Sequence, residues 1–198
     1  LSNGAAVDQA SNTGVTPLYA ACSAGHAEVA SLLLTNGAAV DQASIASATP
    51  LRSACGKGHT EVASLLLANG AAVDQADNAG VTPLYVACSA GLTEVASLLL
   101  TNGAAVGQAS NDGVTPLRAA GGNGHTEVAS LLLANGAVVD QADNAGMTAL
   151  FAACSAGHTE VASLLLTHGA AVGQADNDRS KPLYAACGEG YAEVASLL

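Results

Sequence analysis

The sequence predicts an all-α chain in which short helix-turn-helix units, joined by β-hairpin loops, stack into a solenoid. Three observations predict it. Thr-Pro-Leu recurs at 16–18, 49–51, 82–84 and 115–117, and the same column holds Thr-Ala-Leu at 148–150 and Lys-Pro-Leu at 181–183, so every copy starts one identical step after the last. A fixed period of roughly 20 to 50 residues marks an array of one repeated supersecondary unit. A Leu-Leu-Leu run follows in each of the first five copies, as at 98–100 and 131–133. Each apolar stripe is also well under the ~12 to 15 residues at which an isolated helix becomes marginal in water, so neighbours must supply the stability.

Each unit reads in the same order. A turn signal such as Asp77-Asn78-Ala79-Gly80 opens it, with Asp suited to the first position of a type I turn and Gly to the last. The short flanking segments suggest a projecting hairpin. Thr82 stands at a helix N-cap with Pro83 at the first helical position, where the missing N–H is not missed. Leu84, Ala87, Cys88 and Gly91 then fall on one apolar face, and Gly91 can end the helix in the left-handed conformation. In the second helix Glu94 favours the positive N-terminal end. Val95, Leu98 and Leu99 form its buried stripe, and Asn102-Gly103 closes it. Burying each Leu of the pair against the adjacent unit is worth roughly 1.5 to 3 kcal/mol.

Complete units span 11–43, 44–76, 77–109, 110–142 and 143–175, with partial units at 1–10 and 176–198, all in one domain. The two partial units sum to one period, which reads as a window cut from a longer array.

Composition excludes several classes. Five basic residues stand against 16 acidic ones, for a net charge of -11. A protein that follows a phosphate backbone needs a basic stripe, so nucleic acid is not an expected partner. No apolar run approaches the ~18 to 20 residues that cross a bilayer, and no signal peptide is evident. Cys22, Cys55, Cys88, Cys154 and Cys187 share one column. Helix packing places such columns roughly 8 to 10 Å apart, beyond the reach of a disulfide. They read as small, buried, reduced thiols, which points to an intracellular, cytoplasmic setting.

The unit resembles the ankyrin repeat over the whole chain, through Gly-Xaa-Thr-Pro-Leu, Gly-His-Xaa-Glu-Val and Leu-Leu-Leu-Xaa-Asn-Gly-Ala, which recur in register. The Thr-Pro-Leu-His pattern is a known signature of that family. The resemblance implies L-shaped units in a curved stack of about six, with hairpins and first helices on the concave side. It also implies a non-catalytic module that binds other proteins.

The copies depart from the family after Thr-Pro-Leu, where Tyr19, Arg52, Tyr85, Arg118, Phe151 and Tyr184 replace histidine. Two more columns alternate with it, one of them Ser23, Gly56, Ser89, Gly122, Ser155 and Gly188, so the underlying period is a pair of units. Either the array grew by duplicating pairs, or Arg52 and Arg118 make a periodic contact with an acidic or repetitive partner. Ser47 and Arg179 replace the turn glycine, and because non-glycine residues disfavour positive φ these tips are expected to be reshaped or mobile. Lys181 removes an N-cap, a loss of typically ~1 kcal/mol.

No reaction chemistry emerges, and no cofactor is expected. His26, His59, His125 and His158 share a column and read as turn residues packed between the two helices. Repeat-spaced side chains cannot converge on one metal ion at about 2 Å. A Cys22–His26 pair lacks an orienting third group, and no phosphate-binding glycine loop appears.

Two functional readings remain. In the first, an unidentified protein partner meets the hairpin tips (Asn12, Thr13, Val15, Ile45, Asn78, Val81, Asn111, Asp112, Val114, Asn144, Met147) and first-helix positions (Ser23, Arg52, Lys57, Arg118, Asn123, Glu189). This face is poor in the Trp, Tyr and Arg that make hot spots. In the second, chains stack head to tail through uncapped ends into an open assembly.

Overall fold

The computed structural model describes residues 4–198. These form twelve α-helices and no strand: α1 (Pro17–Ala24), α2 (Ala27–Thr35), α3 (Pro50–Gly56), α4 (Thr60–Ala68), α5 (Pro83–Ser89), α6 (Thr93–Thr101), α7 (Pro116–Gly122), α8 (Thr126–Ala134), α9 (Ala149–Ala156), α10 (Thr159–Thr167), α11 (Pro182–Glu189) and α12 (Ala192–Leu197). Helix pairs stack in a repeating pattern. The chain divides into two compact units, one running up to Ala87 and including Glu94–Ala105, the other Cys88–Thr93 with Val106–Leu198.

Local sequence sets the helix ends. Thr16 is extended at φ -82° and its hydroxyl accepts the Tyr19 N–H at 3.1 Å, with Pro17 next in the chain. Thr49 and Thr115 cap α3 and α7 the same way at 3.1 Å. Thr148 keeps its cap at 3.2 Å without a proline after it, so the threonine rather than the proline carries the signal. Lys181 makes no side-chain cap, as its chemistry requires. At the other end Gly25 adopts φ 78°, which lets the His26 N–H reach Ala21 O at 3.0 Å, the closing bond of a left-handed C-cap. Second helices end on a side chain: Asn36, Asn69 and Asn135 each donate Nδ2 to the carbonyl one turn back at 2.8 Å. His168 fills that column with Nδ1 2.9 Å from Leu164 O.

In the first unit α1 packs on α2 and α3, α3 on α4, and α2 on α4. In the second, α7 packs on α8 and α9, α9 on α10 and α11, α8 on α10, and α12 on α10 and α11. A helix therefore buries its stripe against its own partner and against the equivalent helix one repeat on. Leu51, Leu66, Leu132, Leu150 and Leu165 are fully buried as a result. The second-helix stripe differs by one position from the sequence expectation. Val95, Ala96 and Leu99 are buried while Leu98 is half-exposed, because a stripe at i, i+1 and i+4 points the alanine inward and turns the first leucine to the rim.

The expected hairpins are tight turns without strand pairing. The Ser11 N–H donates to Val15 O at 2.9 Å and the Gly14 N–H to Ser11 O at 2.9 Å, after which the Ile45 N–H of the next turn donates to Thr13 O at 3.1 Å. Too few residues flank each tip for a second rung.

The tips at Ser47 and Arg179 are not reshaped. Both residues take the glycine conformation, φ 59° and 65°, and keep the turn bonds Ser47 N–H to Ser44 O at 2.8 Å and Arg179 N–H to Asp176 O at 3.0 Å. Bonds to neighbouring backbone hold the turn against a strain on the order of 1 to 3 kcal/mol.

Candidate protein-interaction surface

Turn tips in the first unit form a ladder of exposed polar and apolar side chains on hydrogen-bonded backbone. Asn12, Thr13 and Asn78 are exposed, and Ile45 is 72% exposed. The rungs are fixed beneath them. The Asn78 N–H donates to Ala46 O at 3.2 Å, and its Nδ2 donates to Ile45 O at 3.3 Å. Val15 and Val81 are half-buried at the turn bases, where their carbonyls accept the Ser11 and Asp77 N–H groups.

The second unit repeats the device. Asn144 N–H reaches Asp112 O at 2.9 Å and its Nδ2 reaches Asn111 O at 2.9 Å. Asn111, Asp112 and Asn144 are exposed, whereas Val114 and Met147 are half-buried. Glu189 is exposed at the end of α11.

The first-helix positions behave differently, because most of them are engaged inside the chain. Arg52 Nη2 lies 2.7 Å from Asp77 Oδ2 and Arg52 Nε donates to Val81 O at 3.3 Å. Arg118 Nη2 lies 2.9 Å from Asp143 Oδ2, and Met147 Sδ approaches it at 3.9 Å. Both carboxylates sit at the base of the following turn, where the same residues cap backbone: Asp77 Oδ1 accepts the Ala79 and Val81 N–H groups, and Asp143 Oδ1 those of Ala145 and Met147. Lys57 Nζ donates to Ser23 Oγ at 2.8 Å. Asn123 Nδ2 donates to Ser89 O at 2.9 Å and lies 3.1 Å from Ser89 Oγ.

Two ladders escape a reading of the sequence alone. Asp8, Asp41 and Asp74 accept the N–H groups of Ala39, Ala72 and Ala105 from the next repeat at 3.1 Å, and Asp140 accepts that of Ala171 at 3.0 Å. Gly107 and Gly173 stand in this column where the other four repeats carry aspartate. The periodic aspartate is visible in the sequence, but the N–H it meets one repeat on is not. The second ladder is the histidine column. The rings pack on the preceding repeat's turn, not between the helices of their own. A Cβ on Gly25 would fall 2.7 Å from the His59 ring, and one on Gly124 would fall 2.7 Å from that of His158. His125 Nε2 also lies 3.1 Å from Ser89 O, and His158 Nε2 lies 3.2 Å from Gly122 O. Tyr191 takes the same place against Gly157, and Leu92 occupies the column in the third repeat, so the position does not depend on an imidazole.

The cysteine column is inert where it is buried. Desolvation pushes the Cys22, Cys55 and Cys88 thiols up to about 12 and Cys154 up to about 11, so all four are protonated at neutral pH and poor nucleophiles. Cys187 is exposed, contrary to the expectation that the whole column is buried. It lies on α11, which has no later first helix among the described residues to cover it. Among the described residues no group of His, Cys, Asp and Glu is placed to hold a metal ion, and no helix is long and apolar enough to cross a membrane.

Stacked helix pairs, glycine-capped turns and a tip ladder are the marks of a repeat module, and comparison with family models agrees. The ankyrin-repeat model, described as three copies, matches residues 1–77, 69–143 and 137–198. The chain belongs to the ankyrin-repeat family, whose members are in general protein-interaction modules. Comparison with curated proteins returned no match.

Proposed function

We propose that this chain is a non-catalytic scaffold of about six repeats that binds a protein partner through its turn tips. The observation that carries the reading is the tip ladder of the first unit. Asn12, Thr13, Ile45 and Asn78 present side chains to solvent on backbone locked by inter-repeat hydrogen bonds. A surface ordered before binding loses little entropy on association, and binding residues tend to sit on loops held by a rigid frame. Arg52, Arg118, Lys57, Ser23 and Asn123 are partly spent within the chain. They support the face more than they read the partner. Protonated thiols are consistent with the absence of a nucleophilic role, and reduced cysteines with an intracellular setting.

The test is capture of a partner by the wild-type chain and by two variants with unchanged circular dichroism. Ile45→Asp should abolish capture, while Ser64→Glu on the outer helix α4 should leave it intact. Equal capture by both variants contradicts the reading. Light scattering of the chain alone at rising concentration separates it from head-to-tail stacking, which predicts growth without limit.

A further inference from the structure

The polar ties between successive repeats alternate in kind and in place. Counting the complete repeats from Ser11 onward, Arg52–Asp77 ties the second to the third and Arg118–Asp143 the fourth to the fifth, both from the start of a first helix to the next turn. Lys57–Ser23 ties the first to the second, and Asn123–Ser89 the third to the fourth, both at the ends of first helices. The columns match this division. Where Tyr19 and Tyr85 replace the arginine, the next turn opens with Ser44 and Ser110 rather than aspartate. Where Gly56 and Gly122 replace the serine, the following repeat has Ala90 and Ala156 rather than lysine or asparagine. Each of the first four junctions thus carries one of these two ties, and the residues for the other are missing from both of its sides; the fifth-to-sixth junction departs from the alternation, with Phe151 before Asp176 and Glu189 after Ser155. Space does not demand those glycines, since a Cβ at Gly56 would meet Val86 at 3.5 Å and one at Gly122 would meet Ala152 at 3.4 Å.

We propose that the two alternating ties form an order code: each repeat recognises the kind of repeat that follows it, so the array exchanges or gains repeats without loss only in steps of two. A plain nearest-neighbour array with one kind of junction would be indifferent to the order of its units. An unlike junction leaves a half-buried arginine facing a serine, or an aspartate facing a tyrosine. Removing one member of a desolvated charge pair costs more than never building the pair.

The test uses two rearranged chains of unchanged length and composition. Exchanging 44–76 with 110–142 brings Arg118 to Asp77, Arg52 to Asp143, Asn123 to Ser23 and Lys57 to Ser89, so every tie is remade. Exchanging 44–76 with 77–109 loses the ties of Arg52, of Asn123 and of Lys57 with Ser23, and remakes only one, Lys57 with Ser89. The first chain should melt with the wild type, and the second roughly 4 to 8 °C lower. Adding Tyr19→Arg and Ser110→Asp to the second chain installs the arginine-aspartate tie at both unlike junctions and should recover most of the loss. If the second chain does not fold, recovery of folding by this pair supports the code equally. Equal melting of the two rearranged chains, or no response to the added pair, overturns it.

Discussion

The Arg52 guanidinium sits 2.7 Å from the Asp77 carboxylate, and two repeats along Arg118 sits 2.9 Å from Asp143. The side chains are only 23% and 12% exposed in the first pair, and 23% and 4% in the second, so both pairs are shielded well beyond an ordinary surface ion pair. The arginine that breaks the family pattern answers an aspartate in the following repeat, and the turn that the aspartate caps is part of the same unit of structure.

The Arg118–Asp143 junction is the more brittle of the two. Arg118 Nε is buried without a hydrogen-bond partner among the described residues, whereas Arg52 Nε reaches Val81 O. Asp143→Ala would strand the guanidinium and undo two backbone caps. A loss of about 2 to 4 kcal/mol is expected in urea denaturation. The more conservative Asp143→Asn, which keeps an oxygen for the caps, should cost less.

Backbone strain at the two odd tips can be relieved. Ser47→Gly and Arg179→Gly place glycine where φ is 59° and 65°, removing left-handed strain while adding freedom to the unfolded chain. Each should raise stability by about 0.5 to 1.5 kcal/mol. Unchanged or lowered thermal midpoints would show that the turns are not strained.

Gly107 interrupts the aspartate ladder opposite the Val138 N–H. An added Cβ there meets only Gln141 Oε1, at 3.6 Å. Gly107→Asp should therefore supply the missing acceptor and gain about 0.5 to 1.5 kcal/mol, read by the shift of the urea midpoint. The same substitution makes the net charge more negative, so the gain should persist or grow in added salt.

The cysteines set both a labelling pattern and an alkaline limit. Cys187 should react with a thiol reagent at neutral pH in the folded chain, while Cys22, Cys55, Cys88 and Cys154 react only after unfolding. Their thiols titrate near 9.0 when unfolded and at about 11 to 12 when folded. Between those values the folded state holds more protons. Their contribution to stability is therefore full below pH 9 and falls as pH rises toward 12. Alanine at all four buried positions should flatten that alkaline fall while lowering stability at pH 7.

The helix pairs are legible in the sequence because period, N-cap threonine and C-cap glycine act within a few residues, and Thr16, Pro17 and Gly25 do what their chemistry dictates. Relations between repeats are not legible in the same way. Alternation of Arg52 and Tyr85 is visible, but Asp77 looks like an ordinary turn residue until its distance from Arg52 is known. The ring of His59 lies against Gly25 rather than within its own repeat, and no local rule carries that information. The tip expectation fails at Ser47 because φ preference is a local cost that inter-turn hydrogen bonds outweigh. Exposure of Ile45 is legible; which protein meets it is not, since a partner's shape leaves no periodic mark.

The most direct measurement is a double-mutant cycle on Arg52→Gln and Asp77→Asn in the full chain by urea denaturation. If the alternating polar columns are joints between repeats, each single variant should be destabilised and the pair should couple by about 1 to 2 kcal/mol. Additive losses, with coupling below about 0.3 kcal/mol, would contradict the account and return both arginines to the open surface.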